Sequence, residues 1–158
     1  MPDPAEPPPP IPYKRARFST RLPVDRLYSQ AHYWLAEMAT GELRIGMTKF
    51  ATRMLGDFVE MQFSVAVGDP VEVGQPIGTI EGFKAVSDIY CVANGRFAGA
   101  NPRLDTEPML LEREPYSNGW LYSVQGERPA ALDVHEYIGL LDATIDQMLR
   151  QQQQDKSC

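Results

Sequence analysis

Gly78-Thr79-Ile80-Glu81-Gly82-Phe83-Lys84-Ala85-Val86-Ser87-Asp88-Ile89-Tyr90 reads as strand, tight turn, strand. Ile77 and Ile80 supply the apolar positions of the first arm; Val86, Ile89, Tyr90 and Val92 supply those of the second. Gly82 tolerates backbone angles that other residues resist, which places the bend beside it. The bend carries Lys84, the only lysine between Lys49 and Lys156. A lysine held out on a short, stiff loop suits covalent attachment of a prosthetic group. An ordinary solvated turn lysine is the alternative and the usual fate of that residue. The stretch by itself favours the solvated lysine; the rest of the chain reverses that.

Working outward, the same strand-and-turn texture continues. Gly68-Asp69-Pro70 and Gly74-Gln75-Pro76 are turn signals. Asp57 to Val67 has strand character through Phe58, Val59, Met61 and Phe63. Before it, Thr48 is placed to cap a short helix ending at Leu55, with Phe50 and Met54 one turn apart and Gly56 as the stop. His32 to Met38 and Leu43 to Met47, joined at Thr40-Gly41-Glu42, predict a hairpin. On the other side, Ala93 to Phe97 predicts turn then strand. Asn101 to Pro115 reads as loop with one helical turn over 109–112, and Trp120 to Val124 as a strand.

The clearest helix starts at Asp133, with Glu136 completing a capping box. Val134, Tyr137, Ile138, Leu141, Ile145, Met148 and Leu149 recur at helical spacing. Many short strands with one flanking helix predict a mainly β fold: a flattened β-barrel or sandwich with a short internal helix and a C-terminal helix. Residues 1–21, with prolines 7 to 10 unbroken, read as a disordered extension, 22–150 as the folded domain and 151–158 as a flexible tail.

With 158 residues, the chain has room for one core. A formal net charge of −6 argues against non-specific binding to nucleic acid or an anionic membrane. The basic run Lys14, Arg15, Arg17 and Arg21 is either solvated or a contact for an acidic partner. No apolar run approaches the ~20 residues of a membrane span. The opening residues lack the pattern of a signal peptide. A cytoplasmic monomer is expected. Cys91 and Cys158 make no disulfide framework, and His32 and His135 make no metal or catalytic set. Trp34 and Trp120 are expected in the core.

From about Pro23 to Ile138 the chain resembles the H protein of the glycine cleavage system, a lipoate-bearing carrier. Five spaced blocks carry the resemblance. They are His32-x-Trp34; Ile45-Gly46-Met47-Thr48-x-Phe50-Ala51 running on to Leu55-Gly56-Asp57; Val65-x-Val67-Gly68 with Gly74; Glu81-x-x-Lys84-Ala85-x-Ser87-Asp88-x-Tyr90; and Pro115-Tyr116-x-x-Gly119-Trp120-Leu121. The resemblance implies a lipoyl-domain type of fold, lipoate in amide linkage on Lys84, and a carrier without catalytic residues of its own. It implies a lipoate ligase or lipoyl transferase as a partner. It places Glu81 on the surface that the ligase reads, although a solubilising hairpin carboxylate is an equal reading. It sets Asp88 close to the loaded arm.

The departures bear on the pathway. Tyr33 stands where the family normally has a glutamate that helps hold the aminomethyl group's ammonium, and a neutral phenol cannot supply that carboxylate. Gly82 and Phe83 replace the usual serine and aliphatic residue; Phe83 either shields a dithiolane or covers the hairpin base. Cys91 replaces a serine and is read as core packing, since seven residues of strand put it about 23 Å from Lys84. Tyr33 and the altered hairpin favour an H-like carrier that moves sulfur with a heterodisulfide-reductase-like complex. The alternative is a glycine cleavage H protein serving glycine decarboxylase, aminomethyltransferase and dihydrolipoamide dehydrogenase. Outside these two stand a biotinyl domain, whose lysine normally lies between methionines, and an unmodified binding module.

Overall fold

Alternating side chains set the two faces of the central strands. The computed structural model describes residues 8–156. Expectations for residues 1–7 and for Cys158 lie outside the described residues. The chain begins with a hairpin of β1 (Ile11–Arg15) and β2 (Phe18–Leu22). A six-stranded antiparallel sheet follows, in the order β3 (Leu27–Tyr28), β4 (Tyr33–Glu37), β5 (Glu42–Met47), β11 (Tyr122–Gly126), β10 (Gly95–Ala100), β7 (Pro70–Val71). A three-stranded sheet is ordered β6 (Phe58–Phe63), β8 (Pro76–Gly82), β9 (Val86–Tyr90). Helix α1 (Lys49–Leu55) links β5 to β6. The short helices α2 (Arg103–Thr106) and α3 (Leu110–Arg113) lie between β10 and β11, and α4 (Val134–Lys156) follows β11.

The two larger sheets do not close into a barrel, so the fold is the sandwich form of the expected architecture. Strand β4 is buried on both faces. Tyr33 and Leu35 join the core between the sheets, while Trp34 and Ala36 join a second core beneath α4. Trp34 needs the glycine opposite it in β5: a Cβ on Gly46 would stand 2.5 Å from the indole ring. The indole N–H donates to Pro115 O at 2.8 Å. Trp120, expected in the core, is only partly buried, with the Arg44 guanidinium 4.4 Å over its ring. A cation stacked on an aromatic face is stabilising there while the edge stays wet.

Both predicted helix starts form as expected. Thr48 Oγ1 accepts from Ala51 N at the start of α1. Asp133 and Glu136 exchange reciprocal hydrogen bonds of 3.1 and 2.8 Å at the start of α4. Two expectations fail at the ends of the chain. Residues 11–21, expected within a disordered extension, form the β1–β2 hairpin together with Leu22, because Tyr13, Phe18 and Leu22 bury against α4 and Phe50. Burying an apolar side chain of this size stabilises by about 1.5–3 kcal/mol. Polar bonds hold the same contact: Tyr13 Oη donates to Asp142 at 2.7 Å, and Arg15 makes a paired contact with Asp146 at 2.9 and 2.8 Å. At the other end, residues expected in a flexible tail continue α4 to Lys156, since the glutamine run carries good helix formers.

Candidate functional site

Lys84 occupies a four-residue turn between β8 and β9, closed by Gly82 N–H donating to Ala85 O at 2.9 Å. Phe83 and Lys84 are its two central residues, and both are exposed. The turn is anchored on the segment that leaves α1. Phe83 N–H donates to Asp57 O at 2.9 Å, and Lys84 N–H donates to Leu55 O at 3.0 Å. Each central amide of the turn is therefore satisfied by protein, and the lysine stem leaves a fixed base.

Two glycines permit this seat. Gly56 caps α1 at φ 81°, ψ −166°, a region essentially reserved for glycine. A Cβ there would meet Lys84 Cγ at 2.8 Å and Lys84 N at 3.0 Å. Gly82 has no positive φ, which corrects the reading that the turn needs its backbone freedom. It is required for space instead: a Cβ would lie 2.3 Å from Leu55 O. In the sequence Gly56 reads only as a helix stop; the residue that packs on it lies 28 positions away, with no local sign.

The strand register places Thr79, Glu81, Val86 and Asp88 together on the face turned from the core, since Thr79 pairs Asp88 and Glu81 pairs Val86. Ile80 and Ile89 point inward and are buried. Glu60 of β6 pairs with Glu81, so this face carries three carboxylates near the Lys84 turn. Asp88 is exposed and lies 3.4 Å from the Tyr90 hydroxyl. Phe83 is 82% exposed, so of its two readings it does not cover the hairpin base.

Tyr33 is buried and does other work than a carboxylate. Its hydroxyl accepts the Tyr90 N–H at 3.2 Å, and Tyr122 Oη donates to Tyr90 O at 2.9 Å. Together the two phenols satisfy both backbone groups of Tyr90 on edge strand β9 and tie the small sheet to the large one. Burial pushes both hydroxyls upward from their ordinary range, so each is neutral at pH 7. Cys91 is buried, with Sγ 3.1 Å from Ala93 O, and burial raises its thiol. It belongs to the core.

His32 lies apart from these three carboxylates, against Phe50 of the second core. Its Nδ1 is 2.8 Å from the Tyr137 hydroxyl, which is 2.8 Å from Thr48 Oγ1, the cap of α1. Burial pushes this imidazole down to about 4. No group of three or more His, Cys, Asp or Glu residues among the described residues is placed to hold a metal ion. No described helix is long and apolar enough to cross a membrane.

The arrangement is thus an exposed amine on a fixed turn, flanked by an acidic sheet face. A family model described as Glycine cleavage H-protein matches residues 26–144. A glycine cleavage system H protein of Micrococcus luteus is 40% identical over 123 residues, 77% of this chain and 91% of that protein. One of Citrobacter koseri is 35% identical over 130 residues, 82% of this chain and 96% of that protein. Among solved structures, the crystal structure of a glycine cleavage system H protein from Mycobacterium marinum matches with a TM-score of 0.66 and 37% identity. It covers 75% of this chain and 97% of that one. The Lys84 turn and its seat at Gly56 lie inside the matched span. The β1–β2 hairpin and the last turns of α4 lie outside it.

Proposed function

The chain belongs to the glycine cleavage H-protein family, whose members carry lipoate covalently on a lysine, and from that premise we propose that it is the cytoplasmic lipoyl carrier of glycine decarboxylation, with lipoate on Lys84. It has no catalytic step of its own. The observation that carries this reading is the exposed Lys84 amine on a turn whose two central amides are fixed by Leu55 O and Asp57 O. The lysine fits the group: its stem is free, its base is rigid, and amide linkage removes the one charge that would hold it in water. A lipoyl-lysine arm reaches on the order of 15 Å from the backbone.

Bound lipoate would supply a dithiolane whose S–S bond is reduced as the aminomethyl group is loaded, and whose dithiol a partner enzyme reoxidises after unloading. The protein's own residues do the positioning. The turn presents the arm at high effective concentration to a docked partner. Glu81 belongs to the surface that a lipoate ligase or transferase reads, and Asp88 stands close to the loaded arm. Glycine decarboxylase, aminomethyltransferase and dihydrolipoamide dehydrogenase are then the enzymes served.

Tyr33 supports a second reading, in which the arm carries sulfur for a heterodisulfide-reductase-like complex. The named relatives favour glycine cleavage, and Tyr33 has a structural task at Tyr90 that accounts for it there. The test is glycine–bicarbonate exchange by the fully lipoylated chain with glycine decarboxylase. The chain supports exchange, with any shortfall against a standard H protein within the roughly ten- to hundredfold of one missing charge-assisted hydrogen bond, about 1.5–3 kcal/mol. No exchange from a loaded chain, together with sulfur uptake on its dithiolane, reverses the choice.

A further inference from the structure

Lys84 borders two cavities. One, of about 220 Å³, is lined by charged groups including Lys49, Asp57 and Glu112. The other is a groove of about 360 Å³, within the ~300–1,000 Å³ of small-molecule sites. Its floor is Phe50 and Met54 of α1. Phe18 of the N-terminal hairpin and Met148 and Leu149 of α4 also line the groove, and Arg15, Arg17, Arg53 and Lys84 add positive charge around this apolar surface. Met54 and Leu149 are 49% and 41% exposed, so apolar surface faces open space there.

The walls are preformed. The Tyr13 and Arg15 contacts with Asp142 and Asp146 clamp the hairpin onto α4 and set the groove's width. Phe18, Met148 and Leu149 all lie outside residues 26–144, so segments beyond the family match help turn the surface beside Lys84 into a groove. A free Lys84 ammonium gains nothing from such a lining. Acylation removes that charge and adds a run of methylenes and a disulfide ring, which favour apolar contact.

Resting on the assignment of lipoate to Lys84, we propose that the dithiolane end of the arm parks in the groove between the β1–β2 hairpin and α4 whenever no partner is docked. The hairpin and helix end then act as a shelter that sets how readily the ring meets small thiols and reductants in solution. Met54 and Met148 border the ring on two sides, and methionine sulfur and methyl groups suit such a contact.

The experiment uses the full chain with 13C-methyl methionine, before and after treatment with a lipoate ligase, loading being checked by intact mass. Lipoylation shifts the Met54 and Met148 methyl signals and gives nuclear Overhauser contacts from them to arm methylenes. Leu149→Glu puts a charge at an exposed helical position; it removes those contacts and speeds reduction of the ring by a water-soluble phosphine about three- to tenfold. In that reduction the S–S bond breaks, the phosphine ends as its oxide, and water supplies the two thiol protons. A mass-confirmed lipoyl chain whose Met54 and Met148 signals stay unmoved overturns the parking site alone. So does Leu149→Glu reduced at the parent rate. A chain left unmodified by a ligase that loads a control carrier overturns the attachment reading, and the parking site with it.

Discussion

Replacing Phe18 by alanine removes the aromatic ring that joins the N-terminal hairpin to the body of the protein. The ring is 9% exposed, packs edge-on against Phe50 with centroids 5.6 Å apart, and lies 6.2 Å from Tyr13. Phe→Ala in a well-packed core costs about 3–5 kcal/mol, of which the aromatic pairing accounts for ~0.5–1.5 kcal/mol. Phe18 sits near the surface of its cluster and the hairpin can relax, so the expected loss is at the lower end, about 3 kcal/mol. For a chain of this length that corresponds to a fall of about 6–12 °C in Tm. Urea unfolding of the full chain, followed by tryptophan fluorescence and far-ultraviolet circular dichroism, measures it. A loss under about 0.5 kcal/mol, the range of an ordinary surface substitution, would refute the claim that residues 11–22 are part of the core.

Other expectations follow from single residues. Gly56→Ala forces a side chain into a glycine-only conformation against Lys84, and is expected to cost about 1–3 kcal/mol in urea unfolding and to slow ligase loading of Lys84. Gly139→Ala, in open space on α4, raises stability by about 0.5–1 kcal/mol in the same assay. His32 is held neutral by burial, with its folded value pushed below the unfolded one, so its contribution is fully present above pH ~6.5 and is lost as pH falls towards about 4. Stability measured against pH therefore falls by up to about 1.4 kcal/mol per unit across that window, and His32→Asn flattens the slope.

Local chemistry made much of this fold legible. The alternation around Lys84, the Thr48 cap and the Asp133–Glu136 box each lie within a few residues, and each formed as read. The hairpin at residues 11–22 was hidden because its apolar residues are spaced among basic ones after a proline run. Its partners Asp142 and Asp146 lie about 130 positions away, and no local pattern announces them. Gly82 was placed correctly for the wrong reason, since its need for space is set by Leu55 O across the fold. Tyr33 reads in sequence as a lost carboxylate. Only the geometry shows the backbone N–H that its phenol accepts.

The central claim is that Lys84 is the attachment point. Incubating the full chain with a lipoate ligase, lipoate and ATP, then measuring intact mass and mapping the modified peptide, tests it most directly. The account predicts one lipoyl group on the parent, located at Lys84, and none on Lys84→Arg, which keeps the charge but presents no amine for the amide. An unchanged parent mass with a ligase that loads a control carrier, or a lipoyl group on Lys84→Arg, would contradict it.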